Sequence, residues 1–327
     1  MRLGTVGTNW ITASFIEAAH LSGKFTLHSV YSRSLEKARA FADRFGAPNA
    51  YDNIEEMAKA PDIDVVYIAS PNALHYAHAK LFLENGKHVI CEKPIFSNTK
   101  EWEAAFASAE ANGVYLFEAI RNIHAPNFKR LKNRIKDIGT VRGAVFHLMQ
   151  YSSRYDAFKN GEEPNVFTRK FSGGALVDLG VYPAYLAVAL FGEPKKVSYH
   201  PILLRGGVDG GGTLVLDYDG FVVTVLCSKI ADAGLACEIH GEDGTIAFDK
   251  VAPISTLTLK ERKTGKTEAF HVEQHEQDMV YEAEAFARII ESADQNGYEA
   301  LKALSRTVLT ITETARKQNG ILFPADE

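Results

Sequence analysis

The sequence has no excess of basic residues, no apolar run long enough to span a bilayer and almost no cysteine. Each shortage removes a class of function. Lys and Arg number 36 against 41 Asp and Glu, a formal net charge of −5, so electrostatics gives no case for nucleic acid or for an anionic membrane. The longest apolar run, Ala184 to Phe191, falls far short of the ~20 residues that cross a bilayer. The chain opens directly into an apolar segment and a glycine turn, without a basic leader or a small-residue cleavage site, and this predicts a cytoplasmic protein. Three cysteines, Cys91, Cys227 and Cys237, show no C-x-x-C spacing and read as buried strand thiols in a reducing compartment, the last two on strands that could be neighbours. No metal site is read among the histidines, and internal repeats and low-complexity linkers are missing. What remains is an ordinary globular composition, 46% hydrophobic and 24% charged. A length of 327 residues suggests two domains with separate cores, whose partners are small molecules and further copies of the chain.

The first half alternates strands with helices. Leu3 to Gly7 reads as a strand entering the turn Thr8-Asn9-Trp10, and Ile11, Phe15, Ile16 and Ala19 mark one helical face before Gly23. Strand, tight turn and helix open a dinucleotide-binding unit, in which a pyrophosphate rests on helix N-terminal amides. Counting G-x-G-x-x-G/A from Gly7 places Asn9 at the second glycine and Thr12 at the third; asparagine tolerates left-handed backbone, but its side chain would enter the space where phosphates approach. Phe25 to Tyr31 is the second strand, and Ser34 caps a helix ending at Gly46. An acid that binds adenosine ribose hydroxyls belongs at the end of that strand. Here stand Ser32, Arg33 and Ser34, with Lys37 one turn later, a set that suits a ribose 2′-phosphate and favours NADP over NAD.

Val65 to Ala69 is a continuous apolar strand ending in Ser70-Pro71-Asn72, with His75 just beyond, and His88 to Cys91 is a strand ending in Glu92-Lys93-Pro94. This rhythm requires a parallel, doubly wound sheet. Its rim gathers the loops at Gly7, Ser70 and Lys93, where a cofactor and a substrate could both reach the lysine.

After Glu118 the pattern changes. Val141 to Tyr151 is a long strand, and residues Ser152 to Phe171 form an irregular charged stretch containing Arg154, Asn165 and Arg169. Asp178 and Tyr182 lie four apart on one helical face behind the paired glycines Gly173 and Gly174, and are read as lining a site. An Asp219-Gly220 hairpin and four further strands build a predominantly antiparallel sheet, whose open apolar face predicts association between copies.

Taken together, Gly4-Thr5-Val6-Gly7-Thr8-Asn9, Tyr67 to His75, Gly86 to Pro94 and Gly173 to Tyr182 resemble, in order and over almost the whole chain, the Gfo/Idh/MocA oxidoreductases. The resemblance implies an α/β protein with an N-terminal Rossmann doubly wound parallel sheet over residues 1–120. A C-terminal α+β domain over 121–327, built on a large, mainly antiparallel open sheet, would bind substrate and join subunits as a homodimer or homotetramer. It also implies hydride transfer between NADP (or NAD) and a sugar, polyol or dihydrodiol.

By position the family's lysine falls on Lys93 and its aspartate on Asp178. Tyr182 stands where many inositol-dehydrogenase-like members have histidine, as in the glucose-fructose oxidoreductase and dimeric dihydrodiol dehydrogenase branch. Cofactor contacts are then expected from Gly7, Thr8, Asn9, Trp10, Ser32, Arg33, Lys37, Ala69, Ser70, Asn72, His75, Glu92 and Lys93. Arg121 and Arg169 are candidates for the substrate. Proton transfer falls either to Tyr182, with the Lys93 ammonium stabilising the oxyanion, or to Lys93 itself, and Asp178 orients the substrate or holds the lysine. The competing reading is a nucleotide-sensing regulator on the same scaffold that turns nothing over.

Overall fold

The computed structural model describes residues 1–327 and divides into two compact units, Met1–Ile120 with His275–Ser305, and Arg121–Gln274 with Arg306–Glu327. Six strands form the sheet of the first unit: β1 (Arg2–Val6), β2 (Thr26–Tyr31), β3 (Asn49–Tyr51), β4 (Val65–Ile68), β5 (His88–Glu92) and β6 (Leu116–Ala119). They lie in the order β3-β2-β1-β4-β5-β6, and every ladder is parallel. Helices α1 (Trp10–Leu21), α2 (Leu35–Phe45), α3 (Ile54–Lys59), α4 (His75–Glu84) and α5 (Thr99–Ala111) make the crossovers. β4 is buried at every position, as a strand covered on both faces must be. The order reverses between β1 and β4, and ligands of doubly wound sheets bind at that reversal.

β3 and α3 have no counterpart in the sequence reading. β3 is three residues long and only half-buried, so neither alternation nor a continuous apolar run marks it.

The expected single boundary at residue 120 needs one correction, because His275–Ser305 belongs to the first unit. Its helix Val280–Ser292 brings Phe286 to 4.7 Å from the Phe117 ring. Tyr298 stacks edge-on against Tyr115 at 4.8 Å and accepts the Leu116 amide at 3.3 Å. These residues cover β6, the strand whose outer edge would otherwise be left open.

The second unit carries eight strands: β7 (Val141–Met149), β8 (Lys196–Leu203), β9 (Asp209–Tyr218), β10 (Phe221–Ser228), β11 (Cys237–Gly241), β12 (Gly244–Phe248), β13 (Leu257–Glu261) and β14 (Thr267–Ala269). Their order is β14-β13-β12-β11-β7-β10-β9-β8, and only β7 and β10 pair in parallel. β8 escaped the sequence reading because Pro201 interrupts it, and it occupies the edge position where proline is tolerated in a sheet. β7 separates β10 from β11, so Cys227 and Cys237 are not on neighbouring strands. All three cysteines are buried free thiols.

Helices α6 (Pro126–Arg134), α7 (Tyr155–Lys159) and α8 (Val181–Phe191) complete this unit. α8 is buried from Pro183 to Val188, and Phe191 at its end packs on Phe221 and Tyr218. With the turns before it, α8 makes a 23-residue stretch, Arg169–Phe191, long and apolar enough to cross a membrane by composition. That is longer than the sequence pattern indicated. Since 67% of its most apolar window is buried inside the protein, it is a core helix. On β9 and β10, Leu214, Leu216, Val223 and Val225 point into the core. The alternate residues Val215, Thr224 and Leu226 are only half-buried and Val222 is exposed, giving the sheet one less covered face.

Candidate active site

In the first unit the turn after β1 is set by Gly7, whose φ of +112° is a left-handed conformation and whose Cβ, if present, would stand 3.0 Å from the Ala69 carbonyl oxygen. A side chain at this position would meet backbone. Asn9 has an extended φ of −90° and caps α1, which corrects the expectation that it serves by tolerating left-handed backbone. Its Oδ1 accepts the Thr12 amide at 3.1 Å and its Nδ2 donates to the Ala69 carbonyl at 2.9 Å. The carboxamide therefore joins the β1 turn to the buried end of β4 instead of crossing the space for phosphates. The Trp10 and Ile11 amides, at the first helical positions, have no intrahelical acceptor and with the helix dipole suit an anion. Trp10 is 75% exposed beside them and Thr8 is half-buried.

At the end of β2, Ser34 caps α2 by accepting the Lys37 amide at 3.4 Å. Arg33 and Lys37 are exposed and Ser32 is half-buried. Two cations and hydroxyls at this strand end fit a ribose 2′-phosphate.

The rim at β4 and β5 is tied from below. His75 is buried, with Nε2 2.8 Å from the Ser70 carbonyl and Nδ1 3.0 Å from the Pro94 carbonyl, and burial holds its pKa below the usual imidazole range. Expected among the cofactor contacts, its ring lies between the two loops, and a neutral imidazole donates its single N–H to one of the two carbonyls. His78 Nδ1 lies 3.0 Å from the Ser70 hydroxyl, and burial brings its pKa down to about 4. Beyond Pro94, the Ile95 amide donates to Glu118 at 3.0 Å, and Glu118 also accepts from Ser305 at 2.6 Å. Lys93, half-buried, therefore sits on a loop held on both sides. Glu92 is buried and accepts the hydroxyl of Tyr67, whose ring stacks on Phe15 at 3.9 Å. Asn72 opens a 3₁₀ turn on the same rim.

In the second unit Asp178 lies in a π-helical turn, Leu176–Gly180, that leads into α8 and Tyr182. Single π turns inside helices recur at functional sites. Asn122, buried, donates to the Tyr182 carbonyl at 3.2 Å. Asp209 on β9 accepts the Leu176 amide at 2.7 Å and the Tyr199 hydroxyl at 2.6 Å, and burial pushes its pKa up. Gly174, at φ +127°, has room for no Cβ because Asp209 Oδ1 would be 2.3 Å away.

Lys229, following β10, donates from Nζ to Asp178 Oδ2, and its side chain is only 9% exposed. It escaped the sequence reading although it continues the inward parity of Val223, Val225 and Cys227, where a lysine is out of character. Arg121 is half-buried in a 3₁₀ turn. Arg169, expected in the substrate pocket, donates to the Leu322 carbonyl and lies 3.8 Å from Glu327, so its guanidinium braces the C-terminal segment.

Residues 1–120 match the family described as "Oxidoreductase family, NAD-binding Rossmann fold", and residues 128–247 match "GFO/IDH/MocA C-terminal domain". The chain is 46% identical over 327 residues to scyllo-inositol 2-dehydrogenase (NADP(+)) IolU of Bacillus subtilis, covering 100% of this chain and 99% of that protein. It is 29% identical to trans-1,2-dihydrobenzene-1,2-diol dehydrogenase of Mus musculus, covering 100% and 99%. In fold it is similar to KijD10, a 3-ketoreductase from Actinomadura kijaniata solved with NADP and TDP-benzene, at a TM-score of 0.83 and 22% identity over 97% of each chain.

Proposed function

Because the chain belongs to the Gfo/Idh/MocA oxidoreductase family and is an NAD(P)-dependent oxidoreductase, we propose that it interconverts a secondary alcohol of a polyol or cyclic diol with the corresponding ketone, using NADP. The observation that carries this reading is Lys93, on a rim loop held by His75 and Glu118, in a chain 46% identical end to end to an NADP-dependent inositol dehydrogenase. The substrates named for that relative and for the mouse diol dehydrogenase both carry neighbouring hydroxyls on a six-membered ring.

In this reading the amides at the start of α1 hold the pyrophosphate over Gly7, and Arg33 with Ser32 and Lys37 takes the 2′-phosphate. The bound nicotinamide supplies or accepts the hydride. Either Tyr182 or Lys93 takes the hydroxyl proton during oxidation and returns it during reduction, and a donor beside the reacting oxygen stabilises its developing charge. Asp178 orients the substrate through a second hydroxyl. Arg121 is kept as a substrate contact. The test is NADPH absorbance followed with inositols, aldoses and trans-diols: Lys93→Met and Tyr182→Phe should each lower kcat by roughly two or more orders of magnitude. Near-native turnover in both variants would refute the assignment.

The same proposal includes a cytoplasmic location, supported by three buried free thiols, and a homodimer or homotetramer formed through the less covered sheet face. Val222, 44% exposed near the hairpin end of β10 on that face, is the residue to change. Val222→Glu should shift the wild-type mass to that of a monomer in light scattering, and an unchanged mass would place the interface elsewhere.

A further inference from the structure

Lys229 is buried, charged and paired with one partner. Taking the ammonium out of water, with the carboxylate only a quarter exposed, is costly before their attraction returns any of it, and an apolar pair of similar volume commonly packs as well. A pair kept at this position calls for a use beyond packing, and its surroundings suggest one. Asp178 belongs to the π-helical turn one helical turn before Tyr182, and Lys229 extends the β10 strand that faces it. An ammonium has three N–H donors. One goes to Asp178 Oδ2, which leaves two donors on a side chain nine-tenths buried, where polar groups are ordinarily satisfied.

The carboxylate is a pure acceptor and the ammonium a pure donor, and they are held a hydrogen bond apart. Neighbouring hydroxyls on a ring present the complementary pattern: one O–H donates to the carboxylate while the adjacent oxygen accepts from the ammonium. The two charges also cancel, so the pair favours a neutral substrate over a sugar acid or a sugar phosphate. We propose that Asp178 and Lys229 together form the subsite that reads a vicinal diol, with Lys229 as a specificity-determining residue. This rests on the reading of Asp178 as a substrate-orienting group.

The test separates diol recognition from support of the fold. The NADP⁺-loaded protein is titrated calorimetrically with trans-1,2-cyclohexanediol and with cyclohexanol, and NADPH formation is followed in parallel. The wild type should bind the diol about tenfold or more tightly than the mono-alcohol, the scale of one charge-assisted hydrogen bond. In Lys229→Met and Lys229→Gln that preference should shrink to within about twofold, with NADP⁺ affinity unchanged; two variants guard against one that fails to fold. A lysine that only supports Asp178 would weaken both alcohols alike and leave their ratio intact, which would overturn the proposal. Equal binding of the two alcohols by the wild type would overturn it without any variant. Diol-selective binding lost in the variants but unaccompanied by turnover would leave the subsite standing and remove the proposed reaction instead.

Discussion

The carboxylate of Asp209 on β9 accepts the amide of Leu176 at 2.7 Å, fixing the first turn of the segment that carries Asp178 and Tyr182. The same oxygen takes the Tyr199 hydroxyl at 2.6 Å, so a single buried acceptor serves a backbone donor and a side chain. Asp209→Ala would leave the Leu176 amide buried without a partner, at a cost of about 1–3 kcal/mol, and the Tyr199 hydroxyl with only the Cys227 thiol at 3.9 Å. Urea unfolding should show a stability loss on that scale. Activity should fall through kcat, while the KM for NADP stays near the wild-type value because the nucleotide cradle lies in the first unit. A variant that unfolds at the wild-type midpoint would show that Asp209 holds nothing.

Arg33 gives a test of cofactor choice. Its guanidinium is exposed at the end of β2, where the adenosine ribose of a bound dinucleotide sits in this fold. Charge-assisted hydrogen bonds to phosphate contribute roughly 1.5–3 kcal/mol. Arg33→Ala should therefore raise the KM for NADP by about one to two orders of magnitude and leave that for NAD nearly unchanged. Equal effects on both nucleotides would remove the 2′-phosphate assignment.

Asn9 tests whether the missing second glycine is a loss or a replacement. Its side chain caps α1 and also reaches the Ala69 carbonyl. Asn9→Ala should cost about 1 kcal/mol of stability for the cap and weaken NADP binding by loosening the turn against β4. Unchanged stability and unchanged NADP affinity would show the carboxamide to be idle.

The doubly wound sheet, apart from β3, was legible because β4 and most of β5 are apolar runs ended by turn residues, and Ser34 and Gly46 mark α2 at both ends as caps. That the loops after β1, β4 and β5 share one rim was legible for the same reason, since neighbouring parallel strands end on one side of a sheet. What sequence could not reveal is which polar side chains turn inward. His75 stands in the motif as a ligand contact would, yet its buried ring lies between two backbone carbonyls, and Arg169 donates to the C-terminal segment. Asn122 and Asp209 act on backbone far away in sequence, at separations of 60 and 33 residues, which no local pattern encodes. Lys229 left a trace, a charge on the inward parity of β10, but parity alone cannot name Asp178 as its partner.

His78 gives the protein a predictable response to acid. Burial lowers its pKa from 6.5 to about 4, so folding favours the neutral ring. Between those two values the unfolded chain binds a proton that the folded chain refuses. Stability from this group is thus present above pH 6.5 and is lost as pH falls towards about 4. His75 is shifted in the same direction and adds to the loss with the same sign. For His78 alone the loss is of order 1–3 kcal/mol, after discounting for its partial exposure. Because both rings contact the Ser70 loop, the rim that carries Lys93 should loosen first on acidification. Urea unfolding of the wild type and His78→Gln at pH 7 and at pH 5 measures this. The variant should lose distinctly less stability between the two, and an identical loss would mean that His78 titrates normally in the folded protein.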